Sequence, residues 1–91
     1  MNLTRGRILT TWRKLISEEM KERGDCWDNV VMTMPRAGFL DIEFDDGFGG
    51  HEGVPFTLWT KDRVYFPMEY DGADLVRSAP RNPCDEAMDH V

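Results

Sequence analysis

The sequence predicts an α+β domain in which one N-terminal amphipathic helix packs on an antiparallel sheet of about four strands, followed by a short C-terminal helix or tail. Three observations carry this. Apolar residues between positions 8 and 20 recur at helical spacing, the apolar period changes to two after Gly24, and the alternating stretches are short and separated by turn residues.

Ile8, Leu9, Trp12, Leu15, Ile16 and Met20 share one helical face, while Arg13, Lys14, Glu18, Lys21 and Glu22 occupy the other. Asn2 or Thr4 is expected to cap the start, Gly6 weakens the first turn so that the helix begins near Arg7, and Gly24 supplies the left-handed residue that ends it. "NVVMTM" at 29 to 34 and "FLDIEF" at 39 to 44 follow, the second with Leu40, Ile42 and Phe44 on one face; the link "PRAG" is short enough to join them as a hairpin. "PFTLWT" at 55 to 60 and "RVYFPMEY" at 63 to 70 form a second pair around Lys61 and Asp62, with Val64, Phe66, Met68 and Tyr70 on a common face. Pro67 cannot donate to a ladder, so that strand is expected at an edge or with a bulge. "YDGAD" reads as a turn, "LVRSA" as a short last strand, and "NPCDEAMDHV" as a brief terminal helix capped by Asn82 with Pro83 at its first position.

A chain of 91 residues is expected to form one domain spanning 1 to 91, since a second core cannot be built from what the first leaves. Ten aromatic residues within a 41% hydrophobic composition place it among globular chains. Cys26 and Cys84 are its only thiols, too few for the disulfide framework of a small secreted domain, and are expected to be reduced. The N-terminus lacks the apolar stretch of a signal peptide and no apolar run spans a bilayer, so a cytoplasmic location in a bacterial host cell and no membrane partner are expected. The net charge of −6 is unevenly spread. Residues 1 to 23 hold six bases against three acids, a net of +3, and residues 24 to 91 hold five bases against fourteen acids, a net of −9. A field of that sign repels nucleic acid and attracts the basic grooves of proteins that bind it.

The stretch "DDGFGGHEG" at 45 to 53 invites several readings. A dinucleotide cradle needs a third glycine where Glu52 stands and a helix where a strand is expected. Asp41, Glu43, Asp45 and Glu52 match the first, third, fifth and twelfth positions of a calcium loop, yet Asp46 occupies the sixth, where that loop needs glycine. His51, His90, Cys26 and Cys84 lack the local spacing of a zinc site, and Cys84 with His90 lacks the geometry of a nucleophile and its base. No metal, cofactor or catalytic residue is therefore expected. The basic helix is interleaved with glutamates and no second helix follows it. The strand aromatics Phe56, Trp59, Tyr65 and Phe66 lie among acids, so direct nucleic-acid binding is not expected either.

What remains is a run of carboxylates, Asp41, Glu43, Asp45, Asp46 and Glu52, with no cation between Phe39 and Val54. On a strand, Asp41 and Glu43 stand about 6.5 to 7 Å apart on one side, close to the phosphate repeat of a nucleic-acid strand. These acids, with Phe48 or Trp59 as an apolar anchor, form the expected partner-binding set.

In size, single-domain build, acidity and want of a catalytic constellation, the chain resembles the small anti-defence proteins of phages and other mobile elements, anti-CRISPR proteins in particular. The resemblance spans the whole chain and rests on type and charge. It implies a non-enzymatic, stoichiometric inhibitor that binds a basic surface of a bacterial nucleic-acid-handling complex, such as a CRISPR effector. The alternative is a small interaction or regulatory module, monomer or homodimer, that binds through its sheet edge or aromatic surface.

Overall fold

The computed structural model describes residues 9–45, 54–70 and 73–88. It shows one helix packed on a four-stranded antiparallel sheet, an α+β fold, with the chain order β1 (Leu9–Thr10), α1 (Trp12–Arg23), β2 (Val30–Met34), β3 (Phe44–Asp45), β4 (Thr57–Thr60), β5 (Arg63–Tyr70) and β6 (Ala73–Pro80). The sheet order is β2-β4-β5-β6, and β1 pairs with β3 in a separate two-stranded piece.

Helix α1 starts later than the apolar period suggests. Thr11, with extended backbone, accepts the Lys14 amide on its hydroxyl at 3.1 Å, and Leu9 and Thr10 pair with Asp45 and Phe44 as a strand. Two adjacent β-branched threonines favour this extended entry, and the second makes an N-cap. Asn2 and Thr4, the caps expected from sequence, lie outside the described residues. The C-terminus is as expected: Gly24 sits at φ 73°, and the amides of Gly24 and Asp25 both return to the Met20 carbonyl.

The stretch 39 to 44 is not the strand that its alternation predicts. Residues Ala37–Asp41 form a 3-10 helix, Leu40 and Phe44 enter the core, and Ile42 is exposed. A strand would place all three on one side; the turn after Pro35 and Gly38 places Ile42 in solvent. Strand β2 therefore pairs with β4, and the fourth strand of the sheet is β6, longer than the short stretch expected.

In β5, the common face of Val64, Phe66, Met68 and Tyr70 points away from the core, which Tyr65 and Arg63 enter instead. Strand β5 is interior. Its register with β4 covers only Val64 and Tyr65, so Pro67 lies beyond the reach of β4 and needs no donor there. Residues 81–88 form neither helix nor strand; Glu86 binds Arg63, and so short a helix gains too little on its own to compete.

The core gathers Trp12, Ile16 and Met20 from α1, Leu40 and Phe44, Phe56, and Leu58, Tyr65 and Val76 from the sheet. Trp12 is its centre, with ring centroids 4.6 Å from Phe44 and 5.0 Å from Phe56, and its indole N–H donates to the Val54 carbonyl at 2.8 Å. Among the described residues no helix is long and apolar enough to cross a membrane.

Candidate binding surface

Of the residues expected to contact a partner, Asp41 and Trp59 lie on different sides of the molecule. Asp41 ends the 3-10 helix and is held by Arg13, whose Nε donates to Oδ1 at 2.6 Å and whose second guanidinium nitrogen donates to Oδ2 at 3.2 Å. The Arg13 hydrogen bond lowers the Asp41 pKa below its ordinary value, and the guanidinium also lies 4.8 Å from the centre of the Trp27 ring. Asp41 is thus an ion-paired carboxylate on the helix side of the molecule. Its place as the first position of a calcium-like spacing is taken by this arginine. Glu43 is exposed beyond it, outside any strand, so the two do not form the expected carboxylate ladder. Asp45 contributes backbone to β3; Asp46, Phe48 and Glu52 lie outside the described residues, as do His51 and His90.

Trp59 lies on the opposite side of the sheet. Its register partners are Met32 on β2 and Val64 on β5, and the alternation of β4 buries Leu58 and Thr60 toward the helix while Trp59 points outward. The same parity, followed across the ladder, brings Met32, Met34, Trp59, Val64, Phe66, Met68 and Leu75 to one face, with Arg77 opposite Phe66 at its β6 side. No described element covers it. Met32 is 52% exposed, Met34 46% and Tyr70 62%, while Trp59, Phe66 and Met68 are half-buried. Methionines interleaved with a tryptophan and a phenylalanine make an adaptable apolar surface of the kind used for protein contacts.

The helix side of the sheet carries a polar network that sequence reading missed. Asp25 accepts four hydrogen bonds, from the Cys26 amide and the Asn29 side chain at 2.9 Å each, the Thr60 hydroxyl at 2.7 Å and the Tyr65 hydroxyl at 2.8 Å. Burial alone would raise the Asp25 pKa, but the hydrogen bonds from Asn29, Thr60, Tyr65 and Cys26 together bring it below its ordinary value. Burial and the bond to Asp25 push the Tyr65 hydroxyl well above the usual tyrosine range, so it stays a proton donor and is no base. Nearby, Arg63 grips both oxygens of Glu86 at 2.8 and 2.9 Å and donates to the Ser78 hydroxyl at 2.9 Å. Ser78 in turn donates to the buried Glu19, which also takes a hydrogen bond from Arg23 at 3.0 Å. The Glu86 bond raises the Arg63 pKa, and the same bond lowers that of Glu86.

A cleft of about 240 Å³ opens beside this network, lined by Arg23, Asp25, Arg63, Cys84 and Glu86 among others. Within it Arg63 pairs with Glu86, Arg23 is held by Glu19, and Asp25 by four neutral donors. Cys84 is free and exposed, its sulfur accepting the Glu86 amide at 3.4 Å, and the terminal helix expected to start at Pro83 is absent. Cys26 is likewise free and exposed. The network's visible role is to fasten residues 81–88 and the start of β2 to the sheet.

The chain matches no known family model, no curated protein sequence and no solved structure. Its own surface is therefore what bears on function.

Proposed function

We propose that this chain is a small non-enzymatic binding protein that seats the outer face of its sheet on a protein partner. The open apolar face around Trp59 carries this reading. In a two-layer fold the helix needs only one side of the sheet, and a face of water-exposed methionines beside a tryptophan is what an interaction surface requires. Trp59 is the anchor, and Met32, Met34, Phe66 and Met68 form the surround.

The net charge of −6 selects the partner class. A negative field accelerates encounter with basic surfaces and slows encounter with other acidic molecules, including a second copy of the chain. A bacterial nucleic-acid-handling complex, a CRISPR effector among them, offers such a surface, and inhibition by occupancy follows if the chain covers it. The apolar face then supplies the lifetime of the complex and the charge supplies its rate of formation. Asp41, offset by Arg13, contributes little to that charge.

The test is capture by the tagged full chain from nuclease-treated bacterial lysate at low and high salt, alongside the double variant Met32→Lys/Met34→Lys. The retained complex is then added back to nucleic acid to ask whether the two compete. Retention of a nucleic-acid-binding complex that is lost with the double variant, weakened by salt and displaced by nucleic acid supports the proposal. Equal retention by the folded double variant removes the outer face from the reading. Recovery of the chain alone, as a dimer by light scattering, gives that face to a second copy instead.

A further inference from the structure

Strand β6 is an edge of the sheet, and its register tells which of its backbone groups face outward. In an antiparallel ladder, residue pairs that exchange two hydrogen bonds alternate with pairs that exchange none. Pro67 pairs with Val76 and Pro80 with Arg63, and a proline has no N–H to exchange, so both are non-bonded pairs. The amide of Arg81 donates to the Asp62 carbonyl at 3.0 Å, one step along the ladder, as the alternation demands. It follows that Val76 and Ser78 turn their backbone groups away from β5, toward the open edge. The Ser78 carbonyl there already accepts from Arg63 at 3.3 Å. The Val76 N–H and C=O and the Ser78 N–H are left for another strand, and no described strand takes them.

A groove of about 780 Å³ runs along this edge between β6 and α1. Val76 and Leu15 supply its apolar floor. Leu15, Glu18 and Glu22 recur at three and four residues and so form one stripe of the helix above it. Glu19 beneath them is occupied by Ser78 and Arg23, whereas Glu18 and Glu22 have no ion pair among the described residues. Lys21 on the helix and Arg77 on β6 are the cations of the lining; the register opposite Phe66 turns the Arg77 side chain to the outer face, so the side facing α1 keeps the acidic stripe of Glu18 and Glu22.

We infer that this groove is a second binding site, which takes an extended peptide segment of a partner protein as an added strand on β6, with an apolar side chain opposite Val76 and a Lys or Arg two residues to either side. The backbone of the segment exchanges two hydrogen bonds with Val76 and gives a carbonyl to the Ser78 amide. Side chains at alternate positions face α1, where the central one meets Leu15 and its basic neighbours meet Glu18 and Glu22. Hydrogen bonding to the edge supplies affinity for any extended chain, and the glutamate stripe supplies the preference for a basic one. The hydrogen-bonding and charged groups of the site belong to the edge and the helix, and Leu75 borders both this groove and the outer face.

The probe is the peptide acetyl-Lys-Thr-Val-Thr-Lys-amide, whose two lysines and valine share one face when extended, titrated into the full chain and followed by backbone amide NMR. The same peptide methylated on the valine nitrogen lacks the donor for the Val76 carbonyl and is expected to bind about tenfold more weakly. The variant Glu18→Lys/Glu22→Lys changes only exposed side chains and is expected to weaken the parent peptide by about tenfold as well. Shifts should centre on the Val76 and Ser78 amides, and hydrogen exchange at Val76 should slow. Equal binding of the methylated peptide, shifts centred on Trp59 and Phe66, or no binding at millimolar peptide would overturn the inference. So would protection of the Val76 amide in a dimer formed without peptide, which would place a second copy of β6 on this edge.

Discussion

Asp25 does more for this fold than its position between α1 and the 3-10 turn Trp27–Asn29 suggests. It follows the Gly24 cap directly, so the left-handed turn aims its carboxylate back at the sheet, where Thr60 and Tyr65 each donate a hydrogen bond to it. Replacing Tyr65 by Phe removes one donor and leaves Asp25 three others, so a loss of about 1 kcal/mol is expected in urea unfolding. Asp25→Ala leaves the Tyr65 hydroxyl buried without its acceptor and takes from Thr60 its short bond, and should cost about 3 kcal/mol. If the two variants lose the same amount, the carboxylate is not the hub that its four bonds imply. Trp59 stands in contrast. It is large and half-exposed, faces away from the core, and is held chiefly by its strand neighbours, the situation of a residue whose energy is realised on binding.

At the scale of elements, α1 is closed at both ends by local chemistry and oriented by its core face. Thr11 caps one end and Gly24 the other, with no heavy atom near enough to obstruct a methyl group at Gly24. The cost of Gly24→Ala is therefore one of backbone strain alone. It is expected to be about 1 kcal/mol, set by the left-handed φ of 73°, and calorimetry should show a correspondingly lower Tm. A neutral or stabilising outcome would mean that the helix end relaxes to another cap. The two prolines of the β5–β6 hairpin sit at equivalent ladder positions, where neither interrupts a hydrogen bond to the partner strand. The pairing of β5 with β4 covers only Val64 and Tyr65, short of Pro67, which leaves the far end of β5 paired with β6 alone among the described strands.

The whole molecule carries its pH dependence in the same groups. Asp25 and Glu86 have folded pKa values below their ordinary 3.8 and 4.5, so they bind fewer protons when folded than when unfolded in that range. Their contribution is present in full above those ordinary values and is lost as pH falls through the lower folded ones. Tyr65 behaves in the opposite sense. Its raised pKa gives a contribution that is complete below the ordinary 10.0 and disappears as pH rises through the folded value above it. Stability measured by tryptophan fluorescence in urea should therefore form a plateau through neutral pH with an acid and an alkaline limb. Asp25→Asn should flatten the acid limb and Tyr65→Phe the alkaline one. An acid limb unchanged in Asp25→Asn would assign it elsewhere. Two distinct surfaces also emerge at this scale, one apolar on the outer face of the sheet and one acidic along its β6 edge, and a partner that reached both would be held by two independent segments.

The amino-acid sequence by itself determined the helix, its glycine stop, three of the four sheet strands and the class of the fold, because these follow from short-range periodicity and from single residues with strong conformational preferences. It also determined the charge that bears on any partner. Only the tertiary structure decided that 39 to 44 is a turn, since alternating apolar residues are equally compatible with Leu40 and Phe44 buried and Ile42 exposed. It decided too that Leu9 and Thr10 form a strand and that the C-terminal segment is held by Arg63 in place of a helix, since both outcomes depend on partners more than 20 residues away. The partner-binding set was only partly legible for the same reason. Trp59 reads as an aromatic strand residue from sequence, but which side of the sheet it takes depends on where the helix packs. Asp41 reads as a free acid until the fold brings Arg13 to it across 28 positions.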